Sequence, residues 1–144
     1  MSKGFKFDTS KLLNALVSRE MKTKAALGAY ADTSSQLLES TAKNDRPWKD
    51  HTHDAKNRLH GSWEWQGDTI RIALSHGVDY GLYLEKGTGP HVIEARPGSY
   101  LFWDGASHPV KKVNHPGSRP YPIIMPTIEK CGPSIIRGLD VILK

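Results

Sequence analysis

The feature that most constrains the fold is a long stretch near the N-terminus that contains no proline. From Ser10 to about Lys43 the only glycine is Gly28, and the segment Asp8–Ser10 offers side chains that can cap a first helical turn. Apolar residues recur along the stretch at helical spacing: Leu12, Leu16, Ala26, Leu27, Tyr30, Leu37 and Leu38. The pattern predicts one long helix, with a kink near Gly28 as an alternative. Its Ala-rich middle, Thr23–Ala31, indicates close packing against a sheet or another helix.

A short helix is predicted to follow this long one. Pro47 ends the long helix, because a proline disfavours a helical residue before it. Thr52 or Asp50 can then cap a short helix that runs through Leu59 and ends at Gly61.

The clearest β-structure lies in the middle of the chain. Ser62–Trp65 and Thr69–Leu74 alternate apolar and polar residues at period two, and the turn Gln66–Asp68 joins them. Trp63 and Trp65 share one face of the first strand. The second strand places three aliphatic side chains on one face: Ile70, Ile72 and Leu74. The hairpin is therefore predicted to supply much of the buried side of a sheet, since each aromatic buries about 150–250 Å².

Further elements follow the hairpin. Leu82, Tyr83 and Lys86 can lie on one side of a short helix that stops at Gly87. Three strand candidates come next and predict a meander with the hairpin: His91–Glu94, Tyr100–Trp103 and Pro109–Val113.

The two ends of the chain differ from the middle. Residues 1–8 are predicted to form an N-terminal arm, and residues 114–122 a stiff, extended arm rich in proline. Residues 123–144 carry an apolar stripe and predict a last helix, kinked or divided in two at Gly132–Pro133.

The composition excludes several classes of protein. The 144 residues are 38% hydrophobic and 24% charged, which suits one soluble globular domain. No apolar run approaches the roughly 18–20 residues needed to cross a bilayer, and no secretory signal is evident, so we expect no membrane contact. The lone Cys131 excludes an intrachain disulfide and a multi-cysteine zinc site. The net charge is +5 without any cluster of five Lys or Arg, which favours a solvated surface over a primary role in DNA binding.

Three segments in order resemble the neck or tail-completion proteins of tailed bacteriophages, the gene-product-10-like family. Tyr80–Gly87 reads Y-G-L-Y-L-E-K-G, Ile93–Phe102 reads I-E-A-R-P-G-S-Y-L-F, and His115–Thr127 reads H-P-G-S-R-P-Y-P-I-I-M-P-T. The similarity extends from about Trp48 to Glu129. One departure is that the family's pattern D-x-T-G carries histidine here in place of the glycine, at residue 53, so we expect the local turn to differ.

The resemblance implies an α+β fold, with long N-terminal and C-terminal helices packed on a curved, mainly antiparallel β-sheet. It also implies a homo-oligomeric ring, six-fold as the expected number, at the head–tail junction of the virion. The subunits would pass through the host cytoplasm during assembly. Its partners would be copies of itself, the head connector or stopper, and the tail terminator or tail tube. Genomic DNA would touch the lumen without sequence readout.

This interpretation places function in surfaces, so we expect no catalytic, cofactor or metal site. The residues expected to contact other subunits or partners are Trp48, Tyr80, Tyr83, Glu85, Lys86, Tyr100, Phe102, Trp103, His115, Arg119 and Tyr121. Glu85 and Lys86 could form an ion pair across subunits. Arg119 lies in the Pro-rich arm, where it could meet an acidic neighbour or DNA in the lumen, or simply be solvated.

The sequence leaves two alternative functions open. Five potential ligands lie within eleven residues: Asp50, His51, His53, Asp54 and His60. They could serve a small metal-dependent hydrolase or nuclease. Against this, helical geometry points His51 and His53 about 200° apart. The other alternative is a sequence-independent DNA-binding module, which a steep salt dependence of binding would support.

Overall fold

The structure, a computed structural model, describes residues 8–144. Within this part of the chain, helices and strands follow in the order α1 Ser10–Asp45, α2 Asp54–Asn57, β1 Leu59–Gln66, β2 Thr69–His76, α3 Gly81–Lys86, β3 His91–Glu94, β4 Lys112–His115 and α4 Ile124–Leu143. The fold is α+β with long helices at both ends, as predicted. The predicted N-terminal arm lies outside the described residues except for Asp8. None of the helices between residues 8 and 144 has the length and apolarity that spanning a bilayer requires.

α1 is one unbroken helix of 36 residues, about 54 Å long. It runs straight through Gly28, which is buried because the ring of Trp63 lies where a side chain would be. The buried face of α1 consists mostly of small residues: Gly28, Ala31, Ser34, Ser35, Leu38 and Ala42. Small side chains let the helix lie close to β1 and β2. Of the stretch Thr23–Ala31, which was predicted to pack closely, only Gly28 and Ala31 are buried, so the packed face lies mainly further along α1.

β1 and β2 form the predicted hairpin on α1. Trp63 pairs with Ile72 and Trp65 with Ile70, so the aromatic and aliphatic faces coincide as predicted. The short helix predicted to run through Leu59 corresponds to α2, which is shorter than predicted and ends at Asn57. The reason is that Leu59 begins β1 and buries its side chain almost completely in the core.

The second pair of strands forms a sheet of its own. β3 and β4 are antiparallel and share no hydrogen-bonded neighbour with β1 or β2. The predicted meander is therefore wrong, and two small sheets replace the one curved sheet. Tyr100–Trp103 is also not a strand: Leu101 makes a single bridge to Val110. Pro109, beside that bridge, has no N–H with which to extend a ladder.

The Pro-rich arm begins later than predicted. β4 runs to His115, so the residues predicted to open the arm at Asn114 pair instead with β3. Pairing in this register satisfies backbone groups that an extended arm would leave to solvent.

α4 packs along α1. Pro133 lies within one continuous helix, so the predicted division into two helices does not occur. Tyr30 on α1 donates a hydrogen bond from its hydroxyl to the carbonyl oxygen of Ile135 at 2.7 Å, in space left free by Gly138. The buried core lies where α1, the base of the first hairpin and the start of α4 meet: Leu38, Ala42, Leu59, Leu74, Ile123 and Cys131.

Candidate assembly surfaces

Glu85 connects three elements of the fold. Its Oε1 accepts hydrogen bonds from Nε2 of His76 at 2.8 Å and from the backbone N–H groups of Ile123 and Ile124 at 2.9 and 3.1 Å. The carboxylate thereby satisfies two free donors at the start of α4 and lies at the positive end of its dipole. The side chain is 18% exposed. An ion pair with Lys86 across subunits does not fit this position, because Glu85 serves within its own chain.

The Pro-rich arm is held against its own chain. The Tyr121 N–H donates to the Leu84 carbonyl at 2.7 Å, and Thr88 and Ser118 exchange backbone hydrogen bonds at 2.9 and 3.0 Å. Gly117, with φ +88°, brings the arm so close to Thr88 that a side chain would overlap its carbonyl. The arm is therefore a fixed surface feature, as its prolines predict.

Arg119 lies on the exposed side of this arm. Its guanidinium lies over the ring of Tyr121, 4.8 Å from the centroid, and Tyr121 is half-buried. A cation over an aromatic face is held in place while its donors stay available to solvent or a partner.

Trp48 belongs to the fold more than to the surface. It packs half-buried against the core, and its indole N–H donates to Asp50 at 2.9 Å. The Asp50 side chain is 2% exposed and also pairs with Arg46. Burial raises the pKa of Asp50, but hydrogen bonds from Arg46 and Trp48 outweigh it and hold the pKa below its ordinary value. The ionised carboxylate therefore stabilises the fold at neutral pH, and this contribution is lost as pH falls through the folded-state pKa.

His115 forms a pair with His91 across β3 and β4. Their ring centroids are 5.0 Å apart. Nδ1 of His115 accepts the N–H of Gly117 at 3.0 Å, and Nδ1 of His91 is 2.9 Å from the carbonyl oxygen of Gly89. In the neutral rings this places the proton on Nε2 of His115 and on Nδ1 of His91. Only one of the two Nε2 atoms then offers a lone pair, so the pair is not arranged as two metal ligands.

An open apolar groove lies beside this second sheet. It encloses about 600 Å³ and is lined by Ile93, Leu101, Phe102, Trp103, Val113, Asn114, His115 and Pro116; we call it the hairpin groove. Three predicted interface residues, Tyr100, Phe102 and Trp103, are exposed at or near it, Phe102 at 67%. Large aromatic surfaces left in water are typical of sites that bind another protein.

α3 adds further apolar surface. Tyr80, Leu82 and Tyr83 are all exposed, whereas Gly81 is the buried residue of this short helix. Tyr83 and His91 line one shallow pocket, so the α3 surface is continuous with the start of β3.

The first turns of α1 carry an apolar surface that includes none of the predicted interface residues. Leu12, Leu13, Leu16, Val17 and Met21 are each 54–68% exposed; we call these residues the helix stripe. The tip of the first hairpin reaches α1 at Lys24, whose Nζ lies 3.4 Å from Asp68. The helix upstream of Lys24 therefore projects beyond the hairpin by 14 residues, about 21 Å.

The accessible surface is larger than that of a compact monomer. It measures 11289 Å², whereas a compact monomer of 16.0 kDa is expected to expose about 7,400 Å². The excess is about 3,900 Å², part of which belongs to the residues outside the described range. The chain thus leaves uncovered an area comparable to several protein–protein contacts.

The histidines near α2 are not gathered into a site. Within residues 8–144 there is no group of three or more His, Cys, Asp or Glu side chains placed to hold a metal ion. His53 Nδ1 is 3.9 Å from Asp50, whose carboxylate already binds Arg46, and His60 Nδ1 is 3.3 Å from Glu39. Hydrogen bonds from Lys43 and from the Gly61 N–H hold the pKa of Glu39 below its ordinary value.

Of the eleven predicted interface residues, four are half-buried: Trp48, Glu85, His115 and Tyr121. The other seven are exposed: Tyr80, Tyr83, Lys86, Tyr100, Phe102, Trp103 and Arg119. The contact role of all eleven stays a prediction.

His53 has the backbone conformation of a glycine. Its φ is +62°, and no other non-glycine residue between 8 and 144 has a positive φ. The resemblance places a glycine at this position, where a positive φ has no steric cost. The left-handed conformation costs a non-glycine residue about 1–2 kcal/mol.

His53→Gly is therefore expected to raise the free energy of unfolding by about 0.5–1 kcal/mol. Urea denaturation at neutral pH measures the change. His51→Gly is the matched control, since it removes a neighbouring exposed histidine where φ is not positive, and it should be neutral or destabilising. An equal loss from both substitutions would contradict the prediction.

Comparisons with protein-family models, curated proteins and solved structures found no match.

Proposed function

We propose that this chain is a structural subunit of a protein ring at the head–tail junction of a long-tailed bacteriophage or prophage. There it would act as a neck or tail-completion protein that connects the head connector to the tail. The observation that carries the proposal is the uncovered apolar surface, which is divided between the helix stripe and the hairpin groove.

The division into two different patches favours a ring. A symmetric dimer needs one self-complementary patch, whereas a closed ring needs two unlike patches that fit each other. A standard interface covers about 800 Å² on each partner, so two per chain need about 1,600 Å². The excess surface is large enough for both and for a further contact with head or tail.

The polar interior supports a structural role. Its buried carboxylates have partners in the fold: Asp50 binds Arg46 and Trp48, and Glu85 binds His76 and the start of α4. Side chains held in this way stabilise the shape of the subunit.

The phage assignment rests on the resemblance of residues 48–129. The glycine-like conformation of His53 supports it, because the backbone at this position suits the residue that the family carries. Exposed Arg119 and the net charge of +5 are compatible with DNA passing through a lumen.

We expect the purified chain to assemble beyond a monomer at micromolar concentration, towards about 96 kDa for six subunits of 16.0 kDa. In the variant Leu13→Asp/Val17→Asp the apparent dissociation constant should rise by about 100-fold or more. The reason is that two carboxylates would be buried in an apolar contact, and each would weaken the binding free energy by about 1.5 kcal/mol or more. Light scattering coupled to size exclusion, over a concentration series, measures both.

The matched control is Ala15→Asp/Ser18→Asp. Both residues are exposed and lie opposite the stripe in the same helical turns, so the same added charge should leave assembly unchanged. The measurement is repeated with the head-connector and tail-terminator proteins encoded beside this chain. A strict monomer that binds neither partner would defeat the proposal.

A further inference from the structure

We infer that the helix stripe of one subunit docks in the hairpin groove of the next. This inference rests on the proposed ring and names the two surfaces that would close it. Both are apolar and uncovered, and they belong to different elements of the same chain.

The helix stripe continues the buried face of α1. Leu13 lies seven turns, or 25 residues, before buried Leu38, and 25 residues at 100° each return nearly to the same direction. Leu16 and Val17 flank that direction. The face that packs on the hairpin therefore extends past its tip, where large exposed apolar side chains replace the small buried ones. Such anchors, spaced by three or four residues, are typical of a helix that binds in a groove.

The stripe does not fill the groove of its own chain. The stripe residues are exposed in the subunit, and the groove is open. Neither β3 nor β4 is among the strands that pack extensively on α1. A second copy can therefore bring the two surfaces together without displacing a contact within the subunit.

The size of the contact fits a subunit interface. Fourteen projecting residues provide about four helical turns, and a groove of about 600 Å³ can take several aliphatic side chains. With the neighbouring aromatics, this is the scale of a standard contact of about 800 Å² per partner. The contact joins unlike patches head to tail, which is the geometry of a ring.

The test is site-directed crosslinking between separately purified variants. Val17→Cys carries one new thiol on the stripe, and Phe102→Cys carries one in the groove. Cys131 is buried, so wild-type protein treated with the same bismaleimide controls for it. We expect the mixture to give about tenfold more crosslinked dimer than either variant alone. The variant carrying both thiols should give a ladder that ends at the ring number. An apolar contact should also persist at about 0.5 M NaCl.

The outcomes separate the inference from the ring itself. If Val17→Cys crosslinks to itself while the assembly mass is retained, the stripes pair with each other and the inference fails, but the ring stands. A further variant carries Phe102→Cys and a cysteine introduced at Phe5. If these two residues crosslink within one chain and residue 17 gives no crosslink, the N-terminal segment occupies the groove and the inference is overturned. No crosslink in a protein that scattering shows to be a monomer removes the ring as well.

Discussion

Glu85→Ala is expected to lower the free energy of unfolding by about 3–5 kcal/mol. The substitution leaves the N–H groups of Ile123 and Ile124 without their acceptor at the start of α4. It also leaves the His76 imidazole without any hydrogen-bond partner, because its Nδ1 already has none. The His76 side chain is only 9% exposed. Each buried donor left unsatisfied costs about 1–3 kcal/mol. Urea unfolding at neutral pH, followed by tryptophan fluorescence, measures the loss.

Two controls frame this result. Glu85→Gln keeps an acceptor oxygen in place and should lose only about 1–2 kcal/mol, the part that depends on charge. Glu129→Ala removes an exposed carboxylate from the same helix and should change stability by less than about 0.5 kcal/mol. If Glu85→Ala unfolded at the wild-type urea concentration, Glu85 would not hold these elements together.

Gly61→Ala is expected to destabilise the protein by about 3 kcal/mol or more. A methyl group at this position would overlap the carbonyl oxygen of Ser35 and lie 2.8 Å from its carbon. Because the obstacle is backbone of α1, it cannot move aside as a flexible side chain would, and β1 would separate from the helix. The Gly61 N–H would then also lose its 3.0 Å bond to Glu39. Thermal unfolding followed by circular dichroism should show a fall in Tm of about 10 °C.

Gly132→Ala is the matched control. A methyl group there meets nothing within 4 Å, and the residue lies inside α4. Alanine favours a helix over glycine by about 1 kcal/mol, so the same substitution should leave the Tm unchanged or raise it. A similar loss at both glycines would show that the contact with Ser35 is not the cause.

Local patterns predicted most of the secondary structure. The alternation around Trp63 and Ile72 fixed the pairing of the first hairpin, and the absence of proline before Pro47 predicted α1. What failed depended on distant contacts. The short helix ends early because Leu59 is buried in a core that includes residues of α1 and α4. The two sheets are separate, and α3 lies between them in the chain.

The role of Glu85 could not be read from its neighbours in the sequence. It binds backbone groups 38 and 39 residues away, and a carboxylate beside Lys86 looks locally like a surface charge. The helix stripe, in contrast, had a signal that could have been used. An eight-residue strand spans about 27 Å, and a helix of 36 residues about 54 Å. The hairpin could never have covered the whole helix, so part of its apolar face had to remain bare.

That mismatch in length has a consequence for how a subunit matures. A helical segment of 14 residues is near the limit at which a helix holds together alone in water, and within the described part of the chain residues 10–22 of α1 are all exposed. We expect a neighbouring copy to supply the free energy that keeps these turns wound. Completion of each subunit and recruitment of the next then become a single cooperative event, and isolated subunits stay one step short of their final form.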